Sequence, residues 1–323
     1  MSAIIATSAW PLPALLVGRW SKSNKTGQSR CDLVTDGMPT ALRLILITSL
    51  AMIAFAANSV LGRLGLVETE IGAGSFAMIR LLSGAVTLVA ICALQSKKIR
   101  GSLTGGLALL VYAGFFSYAY IALGAGMGAI ILFALVQITM LSWGLLQGER
   151  LSGLQWTGFV IAVGALVWLV FPSLEAPPLW AAAAMAMAGI GWGAYSILGR
   201  GVSDPTSATT GNFIWATGLA LPVLGTTLLL APEPIPPVDG VLIAMISGAL
   251  TSGLGYVVWY RALRDLTSSR AGIAQLTVPA IAAIGGVLFL AEPITLRFAL
   301  STTAILGGVA LAVLTPAPAS RKA

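Results

Sequence analysis

From residue 41 onward the chain is a series of long apolar runs, broken at intervals by short charged or proline-rich stretches. A bilayer core takes roughly 20 consecutive apolar residues as one helix. Ten runs of about that length can be marked, near 41–60, 72–94, 103–122, 127–146, 154–171, 179–198, 208–230, 239–260, 271–290 and 297–315. They are continuous and do not alternate every second residue, so they read as helices and not as barrel strands. Lys97-Lys98-Ile99-Arg100 divides the second run from the third, and Phe171-Pro172 to Pro177-Pro178 closes the fifth. Pro232-Glu233-Pro234-Ile235-Pro236-Pro237 cannot continue a helix, because each proline removes a donor and restricts the residue before it. Only the glycine cluster Gly124-Ala125-Gly126-Met127-Gly128 separates the third run from the fourth.

Composition agrees with this pattern. Of 323 residues, 57% are hydrophobic and 9% charged, against roughly 25% charged in a soluble domain; the mean hydropathy is +0.93. Such a chain lacks the polar groups to coat a water-facing surface and reads as an all-α polytopic membrane protein with the lipid bilayer as its solvent. Charge then orients it. With the amino terminus in the cytoplasm, eleven Lys and Arg residues fall on the cytoplasmic side and two, Arg63 and Arg297, on the other. That is the positive-inside bias, and it puts both termini in the cytoplasm and the protein in the inner membrane. Residues 1–37 read as a disordered tail, since the basic residues follow the short apolar stretch Ala9–Val17 where a signal peptide would have them before it. Met38 reads as the natural start, and residues 317–323 as a cytoplasmic tail.

Absences narrow the chemistry. There is no histidine, and Cys31 and Cys92 form neither a disulfide framework nor a zinc spacing. No phosphate-binding GxxxxGK[ST] loop occurs, and no basic patch interleaved with aromatics. An enzyme, a metal or cofactor, and nucleic-acid binding are therefore not expected.

The two halves resemble each other. Ala57-Asn58-Ser59-Val60-Leu61-Gly62-Arg63 matches Ala194-Tyr195-Ser196-Ile197-Leu198-Gly199-Arg200 at five of seven positions. Tyr120-Ile121-Ala122-Leu123 pairs with Tyr260-Arg261-Ala262-Leu263, Gly148-Glu149-Arg150-Leu151 with Ala291-Glu292-Pro293-Ile294, and Gly164-Ala165-Leu166 with Gly307-Gly308-Val309. The offsets are 137, 140 and 143 residues in the same order. Five spans per repeat is an odd number, so the second half enters the membrane from the opposite side, with Glu149 at a cytoplasmic helix end and Glu292 at an outer one. Inverted repeats with a site between them are a transporter architecture. The expected division is 38–173 and 174–316.

This pattern, Tyr-x-Ala-Leu before a helix ending in a membrane-edge Glu and then a Gly-rich helix, resembles the EamA-domain branch of the drug/metabolite transporter superfamily over about residues 38–315. The resemblance implies two five-helix halves around a cavity lined by spans 1, 3, 4, 6, 8 and 9. It also implies transport of a small metabolite or drug, with export as the favoured direction. The family often has a proline midway along the fourth and ninth spans; Pro279 answers to the ninth, whereas Val136-Gln137 stands in the fourth.

Polar groups in hydrocarbon are costly unless they face a partner or a wet cavity. On that ground Asn58, Gln137, Trp192, Tyr195, Ser196, Tyr256 and Gln275 are the candidate substrate-binding residues, with helix–helix hydrogen bonding as the competing reading. Trp259 and Tyr260, near a span end, read as interfacial aromatics. Arg80, nine residues past Ile71 in the sequence, lies roughly 13 Å into its span. It could meet a substrate carboxylate, or bind carbonyls, Glu292 or Glu68 to hold the halves together; the structural reading is preferred, since span two is peripheral in the family. Glu149 and Glu292 read as structural or gating charges. With no carboxylate in mid-span, the substrate is expected to be neutral, aromatic or amino-acid-like. Small residues at Gly158, Ala162, Ala304, Gly308 and Ala312 predict close packing of the fifth and tenth helices, within a monomer or across a homodimer.

Overall fold

A computed structural model of the chain describes residues 40–146, 151–171, 176–199, 202–263, 265–266 and 274–315. The two tails and Glu149 lie outside these residues. The described chain forms α1 (Thr40–Glu68), α2 (Ala73–Leu94), α3 (Leu103–Tyr120), α4 (Ala125–Leu146), α5 (Gly153–Val170), α6 (Leu179–Leu198), α7 (Pro205–Leu230), α8 (Val238–Leu263), α9 (Val278–Leu290) and α10 (Leu296–Leu314), with no strand among them. Six of these, α1 to α4, α6 and α8, are long and apolar enough to cross a bilayer. The architecture is that of a polytopic membrane protein. Large apolar side chains such as Ile45, Val86, Val160 and Leu288 are more than half exposed on the outside, a surface that suits hydrocarbon and not water.

Three boundaries differ from the sequence pattern. α1 continues two turns past residue 60, because nothing between Val60 and Thr69 breaks it; Gly62 and Gly65 are covered by the Phe116 and Phe76 rings. Arg63 is thus a helical residue. α3 ends at Tyr120, and the turn Ile121–Gly124 settles the ambiguous glycine cluster. α9 begins only at Val278, with Pro279 in its first turn. Ala274 and Gln275 before it are also helical and a turn at 276–277 divides the two pieces, so Pro279 stands at an interruption midway along the ninth apolar run, where its missing N–H costs no hydrogen bond.

Contacts between connections sort the helix ends into two groups. At one end Arg63 donates to the Tyr120 and Ile121 carbonyls and pairs with Glu292 at 3.3 Å. Glu292 also accepts from the Ala125 N–H at 2.8 Å, opening α4, and Gly124 and Gly286 leave room for its carboxylate. Glu233 accepts from the Gly74 and Ser75 N–H groups at the start of α2, both at 2.8 Å, an anion on a helix N-terminus. Arg297 caps the end of α5 through the Trp168 and Phe171 carbonyls. At the other end Lys97 pairs with Asp204 at 3.1 Å, the Arg100 N–H donates to the Ser207 carbonyl, and the Ser102 N–H to Asn212. Successive helices therefore run antiparallel.

Packing follows the small residues. α3 and α6, the most buried of the long spans, meet where Gly191 lies on the α3 backbone. α5 and α10 pack on each other within one chain, with Gly308 against the Gly158 carbonyl and Ala162.

A Cβ on Gly308 would sit 2.6 Å from the Gly158 oxygen, whereas Gly307 faces open space. Gly308→Leu is expected to cost about 1–3 kcal/mol by overpacking and Gly307→Leu almost nothing, read as thermal midpoints of the purified protein. Burial is the largest single influence on the Asp204 carboxyl and pushes its pKa up, but Lys97 and the Ser207 and Thr206 N–H groups together outweigh it and hold it below its ordinary value. A depressed native pKa gives stability that is present above the unfolded value and lost as pH falls through the native one. The midpoint difference between wild type and Asp204→Asn is expected to be full at pH 7 and to fade below about pH 4. It should be worth about 1 kcal/mol or less for so exposed a pair.

Candidate substrate-binding site

Glycines bring three helices together around one charge. Gly84 on α2 abuts Phe213 and the Gly248 carbonyl, and a Cβ on Gly248 would collide with the Arg80 carbonyl. At this close approach Arg80 is 1% exposed. Its Nε donates to Ser252 Oγ at 3.1 Å, and its Nη2 to the hydroxyls of Tyr112 at 2.9 Å and Tyr256 at 3.5 Å. The guanidinium lies 4.4 Å from the Phe116 ring centroid and 5.0 Å from that of Tyr112. Its Nη1 has no hydrogen-bond partner.

Asn58 of α1 holds this arrangement from behind. Its Nδ2 donates to the Tyr112 hydroxyl at 3.0 Å, so that oxygen accepts from both Asn58 and Arg80. Its Oδ1 accepts from Ser247 at 2.8 Å, Thr251 at 3.0 Å and Ser252 at 3.4 Å. Three hydroxyls converge there because α8 is π-helical over Ser247–Leu254. A turn that closes at i+5 stacks Ser247 and Ser252 on one face, as single π turns at functional sites commonly do.

Aromatic rings fill the space beside the charge. Trp192 of α6 lies 4.6 Å from Tyr256, 5.1 Å from Tyr112, 5.6 Å from Phe55 and 5.6 Å from Tyr195, where it stacks. Phe55 also packs edge-on against Trp259 at 5.7 Å, and Phe213 against Tyr256 at 5.9 Å. All these rings are buried. Trp192 Nε1 has no partner, and the Tyr195 hydroxyl faces Thr209, Asn212 and Tyr260 without a hydrogen bond of good geometry.

Of the residues singled out from sequence, Asn58, Trp192, Tyr195 and Tyr256 meet in this cluster. Gln137 and Gln275 are buried, each with an unpartnered amide atom, Nε2 and Oε1 respectively, but no contact joins them to it. Gln275 precedes α9 instead of lying in its first turns. Ser196 spends its hydroxyl on the Trp192 carbonyl of its own helix. Arg80 reaches neither Glu292 nor Glu68: Glu292 is bound to Arg63, and Glu68 is exposed. α2 is thus not peripheral. Trp259 and Tyr260 are buried at 2% and 7% exposure, not interfacial, because Phe55 and Tyr195 pack on them. The sequence reading passed over Phe55, Tyr112 and the α8 hydroxyls. The small polar run Ser247-Gly248-Ala249-Leu250-Thr251-Ser252-Gly253 in mid-span was the signal for the last of these.

The model of the EamA-like transporter family matches residues 179–314, from the first residue of α6 to the last of α10. A protein of Pseudomonas aeruginosa described as uncharacterized is 47% identical over 274 residues, covering 83% of this chain and 94% of its own. The chain belongs to the EamA-like transporter family. An "uncharacterized transporter" of Archaeoglobus fulgidus is 22% identical over 63% of this chain and 73% of its own. A solved crystal structure superposes with a TM-score of 0.59 at 17% identity, covering 84% of this chain and 98% of that one, a likeness of fold. Membership makes this EamA protein a multi-pass membrane transporter of the drug/metabolite type, with a small-molecule substrate.

Within this EamA protein the Tyr112 hydroxyl is the shared acceptor for a charge and an amide. Tyr112→Phe is expected to destabilise by about 1–3 kcal/mol, because two buried donors lose their acceptor. Ser196→Ala removes only a bond back to its own helix and should cost little. Guanidinium unfolding of the detergent-purified protein compares the two.

Proposed function

We propose that this protein is an alternating-access secondary transporter built of two inverted five-helix repeats, residues 38–173 and 174–316, which exports a small organic metabolite or drug with an aromatic or apolar body across the inner membrane. The observation that carries the reading is the sealed aromatic and polar cluster where α1, α3, α6 and α8 meet. Buried donors there lack partners, and an unsatisfied buried group is costly unless something comes to it.

The packing supports the repeat. Helices five apart lie together: α2 with α7, α4 with α9 and α5 with α10. α3 packs on α7 as α2 packs on α8. Under the 137-residue offset Phe55 corresponds to Trp192, and under the 140-residue offset Phe116 to Tyr256. Both pairs belong to the cluster, so an axis relating the halves would run through it. The family match to α6–α10 fits the second repeat.

The end contacts support alternation. Arg63–Glu292 and Glu233 with the α2 N-terminus join the proposed halves at one end, and Lys97–Asp204 joins them at the other. Opening either side requires breaking a few ion pairs and hydrogen bonds at the helix ends, of which Lys97–Asp204 is the more exposed and Arg63–Glu292 the more buried. The Lys and Arg excess assigns the Lys97–Asp204 end to the cytoplasm. Direction rests on the family resemblance, and uptake is the alternative.

Comparing small-molecule profiles of medium and cell extract, between a deletion strain and an overproducer, tests both. A compound rising in the medium and falling in the cells on overproduction is expected. Depletion of a medium component would replace export by uptake, and unchanged profiles would overturn transport.

A further inference from the structure

We infer that the substrate is a small organic monocarboxylate of net charge −1, its carboxylate seated on Arg80 and its apolar body among Trp192, Tyr195 and Tyr256. This rests on the transport reading above and names the substrate class for that same site.

Charge bookkeeping carries the argument. Arginine does not deprotonate in proteins, and a bare charge inside a bilayer-spanning bundle is paired or functional. Every group bonded to Arg80 is a neutral hydroxyl: Tyr112, Tyr256 and Ser252. Among the described residues the nearby acids are committed elsewhere, Glu292 to Arg63 and Glu233 to the α2 N-terminus. No carboxylate neutralises this guanidinium. A neutral or zwitterionic ligand would leave the sealed site at +1, whereas a monoanion brings it to zero. The absence of a buried carboxylate, which first pointed to neutral or zwitterionic substrates, therefore points the other way once Arg80 is seen at the centre.

Donor and acceptor counting agrees. The unpartnered polar atoms around the cluster are two donors, Arg80 Nη1 and Trp192 Nε1, and the Tyr195 hydroxyl, which can donate as well as accept. The two donors flank the same two rings, since Tyr112 and Tyr256 both bond to Arg80 and both pack on Trp192. A carboxylate is acceptor-only and matches such donors. An ammonium would find no anion at the cluster among the described residues and would be repelled by Arg80.

The test uses three compounds with one body: 3-phenylpropanoate, 3-phenylpropanamide and phenylalanine, and in parallel 4-methylpentanoate, 4-methylpentanamide and leucine. Binding to the full chain in nanodiscs is read from thermal midpoint against concentration. At least one acid is expected to bind about 30-fold or more tighter than its amide and its amino acid. Arg80→Gln should abolish that preference, and Arg80→Lys should keep it in weakened form, which decides the matter if the Gln variant fails to fold. An amide or amino acid binding as well as the acid, no binding by any member, or the preference surviving in Arg80→Gln would overturn the assignment. Counterflow of the radiolabelled compounds in proteoliposomes separates the two readings. An acid that binds but is not carried sinks transport and leaves the carboxylate site, while an amide carried in preference to its acid does the reverse.

Discussion

A guanidinium sealed inside a membrane protein, with no carboxylate bonded to it among the described residues, is the constraint around which this structure is arranged. Burying a charge costs several kcal/mol even after relaxation, so everything near Arg80 works to lower that cost. Two tyrosine hydroxyls and a serine accept from it, and two rings present their faces to it. Those acceptors must in turn be held. Asn58 fixes Tyr112, and three α8 hydroxyls fix Asn58. The π-helical stretch of α8 and the glycines at 84 and 248 follow from the same demand, because α2 and α8 must nearly touch for a side chain on one to reach a hydroxyl on the other.

The strength of the seam varies along the membrane normal. At the helix ends the proposed halves are joined by a few discrete polar contacts, Arg63–Glu292 and Glu233 with the α2 N-terminus at one end and Lys97–Asp204 at the other. In the middle they are joined by rings and a dense hydrogen-bond network that nothing in hydrocarbon can replace. On the alternating-access reading, such a bundle would pivot about its middle and open at its ends. Extensive burial at the centre and few latches outside are what alternating access asks of a scaffold.

Sequence carried most of the helix pattern, because hydrophobic runs and proline or lysine breaks act locally. It misplaced the end of α1, where glycines carry their meaning only through what packs on them. It singled out Asn58, Trp192, Tyr195 and Tyr256, which the fold brings together, since polar and aromatic residues in mid-span are visible by composition. Of the partners it offered Arg80, Glu292 and Glu68 do not meet it. Distance along the chain says nothing about which of several acids a cation will meet, and here it meets none. Gln137 and Gln275 illustrate the converse: both are buried with an atom unpartnered, yet spacing alone did not say that neither joins the aromatic cluster.

On the two-repeat reading the scaffold is nearly symmetric and its charge is not. Phe55 faces Trp192 and Phe116 answers to Tyr256, so the rings recur in both halves. The positions of α7 that correspond to Arg80, between Thr217 and Ala220, hold no charge. Symmetry suits a machine that must present one site to either side in turn, because the same packing can close each end. A single ligand with one charged group cannot satisfy a symmetric site, since its charge must go to one half or the other. On the carboxylate reading, a buried cation on α2 resolves this: the repeated rings receive the part of a substrate that has no polarity, and the unrepeated Arg80 fixes which way it points.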